Sequence, residues 1–243
     1  DQLLNPGFRD DDFKRLKKEM IDGIKSGLKA SNDEELGKEV LYSTLYKGHP
    51  YESYNYGDIS DLEALTLDDV KAFYNSELTQ SKLTLGLIGA VPNALKANIM
   101  SDLATLPKGE QNRLSIPDAP ELKGHHATIV EKSAQSTAVS FGFPIDTIRS
   151  SEDWTALWLV RSYFGEHRSS NSFLYERIRE TRGMNYGDYA YIEYFPRGMF
   201  QTKPDANLGR SEQIFQVWLR PLRSNNDAHF ATRTALFELD KLI

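Results

Sequence analysis

The sequence predicts an α+β protein made of two-layer units, each a mixed or antiparallel sheet with helices packed on one face. Segments whose apolar residues recur every three or four positions alternate with short apolar or aromatic runs of strand length. Capping residues stand in front of several of the periodic segments. A stretch rich in Pro, Gly and charge, Pro107 to Gly124, interrupts the pattern and reads as a linker between residues 1–106 and 125–243.

Asp10, Asp11 and Asp12 open the first helix, where the helix dipole favours negative charge, and Phe13, Leu16, Met20, Ile24 and Leu28 form its apolar stripe. Asn32-Asp33 caps a second helix carrying Leu36, Val40, Leu41 and Leu45, which stops at Gly48 and Pro50. Thr66 and Asp69 have capping-box spacing ahead of Val70, Phe73 and Tyr74. The apolar run Lys82 to Gly89 predicts a strand covered on both faces or held centrally in a sheet, and a helix from Ala94 to Leu106 closes the first series.

Beyond the linker, Ala127 to Lys132 and Thr137 to Phe143 are expected strands, and Ser150 to Asp153 caps a helix bearing Trp154, Leu157, Trp158 and Val160. A polar loop, Gly165 to Ser170, leads to a helix from Ser172 to Thr181, a stop at Gly183 and a Tyr-rich strand from Met184 to Phe195. Helices are expected at Ser211 to Leu222 and Asp227 to Ile243. The last has no cap or tail, so the chain is expected to continue in a larger parent.

At 243 residues the chain can bury a core without staples, and with no Cys it can form neither disulfides nor thiolate metal sites. The absence of Cys fits both oxidising and reducing compartments, so localisation is open. Its net charge of -6, with basic residues scattered, points away from nucleic acid and toward peptides or proteins. No apolar run reaches the ~18 residues of a membrane span, and the first residues do not read as a signal peptide.

Helical zinc peptidases need two imidazoles one turn apart with a carboxylate between, as in His-Glu-x-x-His or the inverted His-x-x-Glu-His. His49, His125, His126, His167 and His229 contain no such pair. In extended chain His125 and His126 point to opposite sides, as linker or strand-edge residues do. Ser169-Ser170 beside Glu166-His167 holds the residue types of a triad, but so close along the chain they do not make one. Gly86 to Gly89 lacks the Gly-Lys-Ser/Thr of a phosphate loop. No catalytic residue and no metal ligand set is therefore assigned.

Two segments resemble the pitrilysin/insulinase family of zinc metallopeptidases, relatives of the mitochondrial processing peptidases. One is Leu45-Tyr46-Lys47-Gly48-His49-Pro50-Tyr51 with Gly57 and Leu65 to Tyr74 following. The other, more specific, is Phe173 to Tyr186, with Arg179-Glu180-Thr181-Arg182-Gly183-Met184-Asn185-Tyr186 at its end. The resemblance implies tandem metallopeptidase-like domains that enclose an extended peptide. Residues 1–106 would be the latter half of a first domain, and 125–243 a second, non-catalytic and apparently truncated one. It implies no cofactor in this chain, zinc in an active parent or partner, and a catalytic domain or subunit of the same fold as partner.

By the same resemblance Arg179 and Tyr186 are substrate-binding residues that reach across to a peptide at the partner's zinc. Taken alone, an Arg near a helix end caps carbonyls and a strand Tyr packs half-buried. The family's third zinc ligand is a Glu on the helix corresponding to Phe13 to Leu28, where Glu19 is the well-placed Glu with Asp22 nearby; the reading as an ordinary solvated helix charge outweighs it. His49, ahead of Pro50, is expected to hold its turn by a local hydrogen bond. Tyr51, Tyr54 and Tyr56 are open to peptide contact or to packing.

Overall fold

The computed structural model describes residues 2–111, 115–167, 169–194 and 209–242. Its α-helices are α1 Asp10–Asp22, α2 Asp33–Leu45, α3 Ile59–Ala64, α4 Leu67–Glu77, α5 Asn93–Leu103, α6 Trp154–Gly165 and α7 Asn225–Asp240. Its strands are β1 Thr137–Ile145, β2 Asp188–Tyr191 and β3 Gln213–Leu222, and two π-helices span Gly23–Ala30 and Tyr175–Glu180. The chain divides into two compact units, Asp1–Gly23 with Gly57–Ser115 and Ile24–Tyr56 with Ile116–Ile243. Among the described residues no helix is long and apolar enough to cross a membrane.

The first unit holds α1, α3, α4 and α5. Its acidic start and ion pairs one turn apart, Lys14–Asp10 at 2.5 Å and Arg15–Glu19 at 3.0 Å, favour α1 as a helix. Lys17 Nζ donates to the carbonyls of Glu63 and Leu65, both at 2.8 Å, where the end of α3 leaves acceptors free. Thr66 and Asp69 close both bonds of the capping box that starts α4. Residues 107 and 108 are fastened here: Gln80 N–H donates to Pro107 O at 2.9 Å and Ser81 N–H to Lys108 O at 3.0 Å.

The run from Lys82 to Gly89 is not a strand. Residues 83–88 lie outside every sheet among the described residues, with Leu85 and Leu87 exposed and Ile88 at 100% exposure. Apolar content makes a segment fit to be a strand, but a strand exists only where a neighbour supplies the ladder.

The second unit is built on a three-stranded antiparallel sheet of order β1-β3-β2. In register, Phe141 faces Val217 and Phe143 faces Phe215 across β1/β3, while Ala190 faces Val217 across β2/β3. One face of the sheet presents Val139, Phe141, Phe215, Val217, Leu219 and Ala190 to α6, α7 and the π-helix Tyr175–Glu180, which add Phe164, Ile178, Ala231 and Ala235, with Leu174 just ahead of the π-helix. The opposite face carries Tyr189, Tyr191, Trp218 and Gln216, and α2 covers it. Tyr42 Oη donates to Gln216 Oε1 at 2.6 Å, and Lys38 Nζ sits 3.6 Å from the Trp218 ring centre. Gly142 lets β1 approach, since a Cβ there would fall 2.3 Å from Phe215 O.

Several expected elements change. Ser211 to Leu222, expected as a helix, is β3. The polar residues Gln213, Gln216 and Arg220 recur at helical spacing, but Ile214, Phe215, Val217 and Trp218 are β-formers buried on both sides of a central strand. The first helix gives way at Asp22 to π-helix Gly23–Ala30, and Ser172 to Thr181 holds the π-helix Tyr175–Glu180. The Tyr-rich strand shortens to β2 because 185–187 make a turn, and its expected end, Phe195, lies outside the described residues, as does Ile243. The serines before α6 do not cap it: Ser151 Oγ accepts from Ile148 N–H at 3.0 Å, one turn earlier.

Ala127 to Lys132 also forms no ladder, and residues 121–131 are exposed throughout, with Ile129 at 89%. Limited trypsin digestion is expected to cut first after Lys123, while Lys132, tied to Asp33 at 2.5 Å and to Lys29 O at 2.6 Å, resists. Mass spectrometry of the earliest fragments checks this. An initial cut inside α2 or β1 would contradict it.

Candidate functional site

The π-helix Tyr175–Glu180 ends in a left-handed turn at Gly183, where φ is 59°. Gly183 N–H donates to Arg179 O at 2.6 Å and Met184 N–H to Ile178 O at 3.3 Å, the paired bonds that end a helix through a glycine. Ile178 and Met184, both buried, close the turn from the core side. A side chain with Cβ at 183 would strain this backbone.

The reversal brings Tyr186 back beside Arg179. The guanidinium carbon of Arg179 lies 5.4 Å from the Tyr186 ring centre and 4.8 Å from that of Tyr175, and its Nη1 also pairs with Glu180. Arg220 stands on Tyr186 at 5.7 Å. Tyr186 is 72% exposed. A cationic fork and a phenol O–H are thus presented side by side, two donors suited to one carbonyl or carboxylate oxygen.

The turn under Tyr186 is pinned by polar bonds. Asn185 Nδ2 donates to Asp188 Oδ1 at 2.6 Å and to Arg220 O at 3.1 Å, and Arg220 N–H donates to Gly187 O at 3.3 Å. Asp188 is 0% exposed, and burial pushes its carboxyl up to about 7 against the partial relief of the Asn185 bond. Arg220 Nε reaches Glu34 Oε2 of α2 at 3.4 Å. Asn185, Asp188 and Arg220 were not among the residues singled out from the sequence. No signal along the chain marks them: Asn185 lies in the turn before β2, and Asp188 is the first residue of the strand Asp-Tyr-Ala-Tyr.

The residues present do not fit a zinc site. Among the described residues no group of three or more His, Asp or Glu is arranged to hold a metal. Glu19 is exposed and paired with Arg15. Buried His49 accepts from Tyr51 N–H at 3.0 Å, holding its turn as expected; His126 Nε2 lies 2.9 Å from Lys123 O; His167 stacks on Tyr189 at 4.6 Å and bonds the Tyr191 hydroxyl. Tyr51 packs on Arg210 at 3.7 Å, and Tyr54 on Tyr56 at 5.4 Å. Metal analysis of the purified chain should therefore find far less than one zinc per molecule, with no cleavage of a test peptide. One tightly held zinc with chelator-sensitive cleavage would overturn this.

A family model described as the peptidase M16 inactive domain matches residues 64–228. The probable inactive metalloprotease YmfF of Bacillus subtilis (strain 168) is 21% identical over 196 residues, 79% of this chain and 44% of that protein. An uncharacterized zinc protease of Mycobacterium leprae (strain TN) is 23% identical over 221 residues, 89% of this chain and 48% of that one. The chain thus spans about half the length of the curated relatives it matches. Among solved structures, a peptidase M16 inactive domain from Pseudomonas fluorescens aligns with TM-score 0.74 at 21% identity, over 96% of this chain and 52% of that one. A Helicobacter pylori protease aligns with TM-score 0.66 at 15% identity, over 96% and 52%.

Proposed function

Because the chain belongs to the family of peptidase M16 inactive domains, we propose that it is the non-catalytic, substrate-gripping part of a zinc metallopeptidase-family protein. In this reading it binds an extended peptide or unfolded protein and completes an active site carried by a catalytic domain or subunit of the same fold. Zinc belongs to that catalytic partner. Residues 1–106 are then the latter half of one peptidase-like domain, 107–124 the connection and 125–243 a second domain.

The observation that carries this reading is the joint presentation of Arg179 and Tyr186 on a turn anchored from below. Arg179 supplies charge-assisted hydrogen bonds to a peptide oxygen, and Tyr186 a second donor from the other side of the turn. Substitution of either residue in the intact protein, with turnover and folding measured separately, is the test. A second reading is favoured by the Bacillus subtilis relative named as inactive: a partner subunit or interaction module that has left catalysis behind. In that case peptide cleavage by the assembly is indifferent to Arg179→Ala, although the assembly still forms.

A further inference from the structure

We propose that Asp188 is a positioning residue for Tyr186: as the neutral acid it donates from Oδ2 to Asn185 Oδ1 while accepting from Asn185 Nδ2, and this reciprocal acid–amide pair holds the turn. The role of Tyr186 toward peptide rests on the substrate-gripping reading; the pair itself does not.

The first leg is the hydrogen-bond inventory. Asn185 Nδ2 has two protons and two acceptors, Asp188 Oδ1 and Arg220 O, which also fixes which end of the amide is nitrogen. Two oxygens are then left over, Asp188 Oδ2 and Asn185 Oδ1, both buried and both without a hydrogen-bond partner. Two acceptors cannot satisfy each other. One proton on the carboxyl satisfies both at once and converts a single bond into a two-bond ring, removing two buried orphans that each carry an uncompensated desolvation cost.

The second leg is the setting. Asp188 faces Leu219 across β2/β3 and shares the apolar face of the sheet with Ala190 and Val217. The cations on the elements packed against β2 have carboxylates of their own. Arg220 on β3 pairs with Glu34 of α2 at 3.4 Å, Arg161 on α6 with Glu166 at 2.7 Å, Arg177 with Glu238 of α7 at 3.7 Å, and Arg179 with Glu180. Nothing in this set favours a charged Asp188, and its carboxyl is pushed up to about 7 by burial.

The sign follows from linkage. Asp188 titrates near 3.8 when exposed and about 7 when folded, so its contribution is fully present below the lower value and lost as pH rises through the upper one. The turn carrying Tyr186 is held in mildly acidic solution and loosened in alkaline solution.

The test is a carbon-13 NMR titration of the full chain with labelled Asp carboxyls and Tyr rings, since Glu39 on α2 is also pushed up to about 7 by burial and by Glu35, and a bulk signal mixes the two. The expected result is an Asp188 midpoint near 7, with Tyr186 ring resonances moving at the same midpoint. In Asp188→Asn, whose amide donates at every pH, the Tyr186 response disappears. An Asp188 midpoint near 3.8 overturns the proposal, as does a Tyr186 signal that ignores the titration or survives Asp188→Asn. If that variant does not fold, the wild-type midpoints decide alone. Binding of a fluorescein-labelled unstructured peptide separates the two ideas. If Tyr186 follows Asp188 but Tyr186→Phe binds peptide as well as wild type, the gripping reading falls and the acid–amide pair stands.

Discussion

Replacing Arg179 with Ala, or Tyr186 with Phe, in the intact protein or in a complex with its catalytic partner is expected to lower turnover about 100-fold and leave the folded state nearly as stable as before. Donors aimed at a developing oxyanion contribute roughly 3 kcal/mol each in a water-excluded site, about two orders of magnitude in rate. On the folding side the same groups contribute little. Tyr186 is exposed, so losing its hydroxyl strands no buried partner, and the ring stacks of Arg179 at 4.8 and 5.4 Å are surface cation–π contacts of about 0.5–1 kcal/mol. The double variant should lose less than the product of the single losses, because two donors to one oxygen act as a unit. Steady-state kinetics beside thermal melts distinguishes the roles. A sharp fall in Tm with unaltered turnover per folded molecule would make both residues structural.

Lys38→Ala is expected to destabilise the second unit by about 3 kcal/mol, measured by urea unfolding with Trp fluorescence. Lys38 is 1% exposed and lies between Glu35 at 2.7 Å, Glu34 at 3.5 Å and the Trp218 ring at 3.6 Å. Removing it leaves buried carboxylate without its ammonium and opens a void over the indole. The cost stays at the lower end of the range for broken buried pairs because Glu34 keeps Arg220 and Glu35 is only half-buried. A loss under about 1 kcal/mol would show that α2 is not held to the sheet by this contact.

The starts of α2 and α4 were legible because a cap is a local event. Asn32 accepts from Glu35 N–H at 3.1 Å, and Thr66 with Asp69 closes its box, as their spacing foretells. Strand identity was less so, because a strand is completed by residues far away. In β3, Gln213, Gln216 and Arg220 recur at helical spacing without making a solvated helix face. Gln216 is instead a buried hub that accepts from Tyr42 Oη and Trp218 Nε1 and donates to Glu193 O. The β-branched and aromatic content of Ile214, Phe215, Val217 and Trp218 was the better guide. At the proposed site, Arg179 and Tyr186 are named by family resemblance; the structure brings their side chains to 5.4 Å, and their role toward peptide is the proposal made above. Asp188 was not legible, since nothing in a carboxylate's neighbours along the chain reveals that it folds onto an apolar sheet face.

The strand order has a consequence for how this chain is made. Among the described residues β1 and β2 are hydrogen-bonded to β3, which follows both of them along the chain, and not to each other. When Ile145 has left the ribosome, its partner Gln213 is still to be synthesised, and at about 5–20 residues per second the wait lasts several seconds. Through that interval Val139, Phe141 and Ile145 have no ladder and no core to enter. A ribosome that pauses before the codon for Gln213 therefore holds out a nascent chain in which β1 and β2 lack the strand that joins them, the state a chaperone at the exit tunnel is suited to shelter.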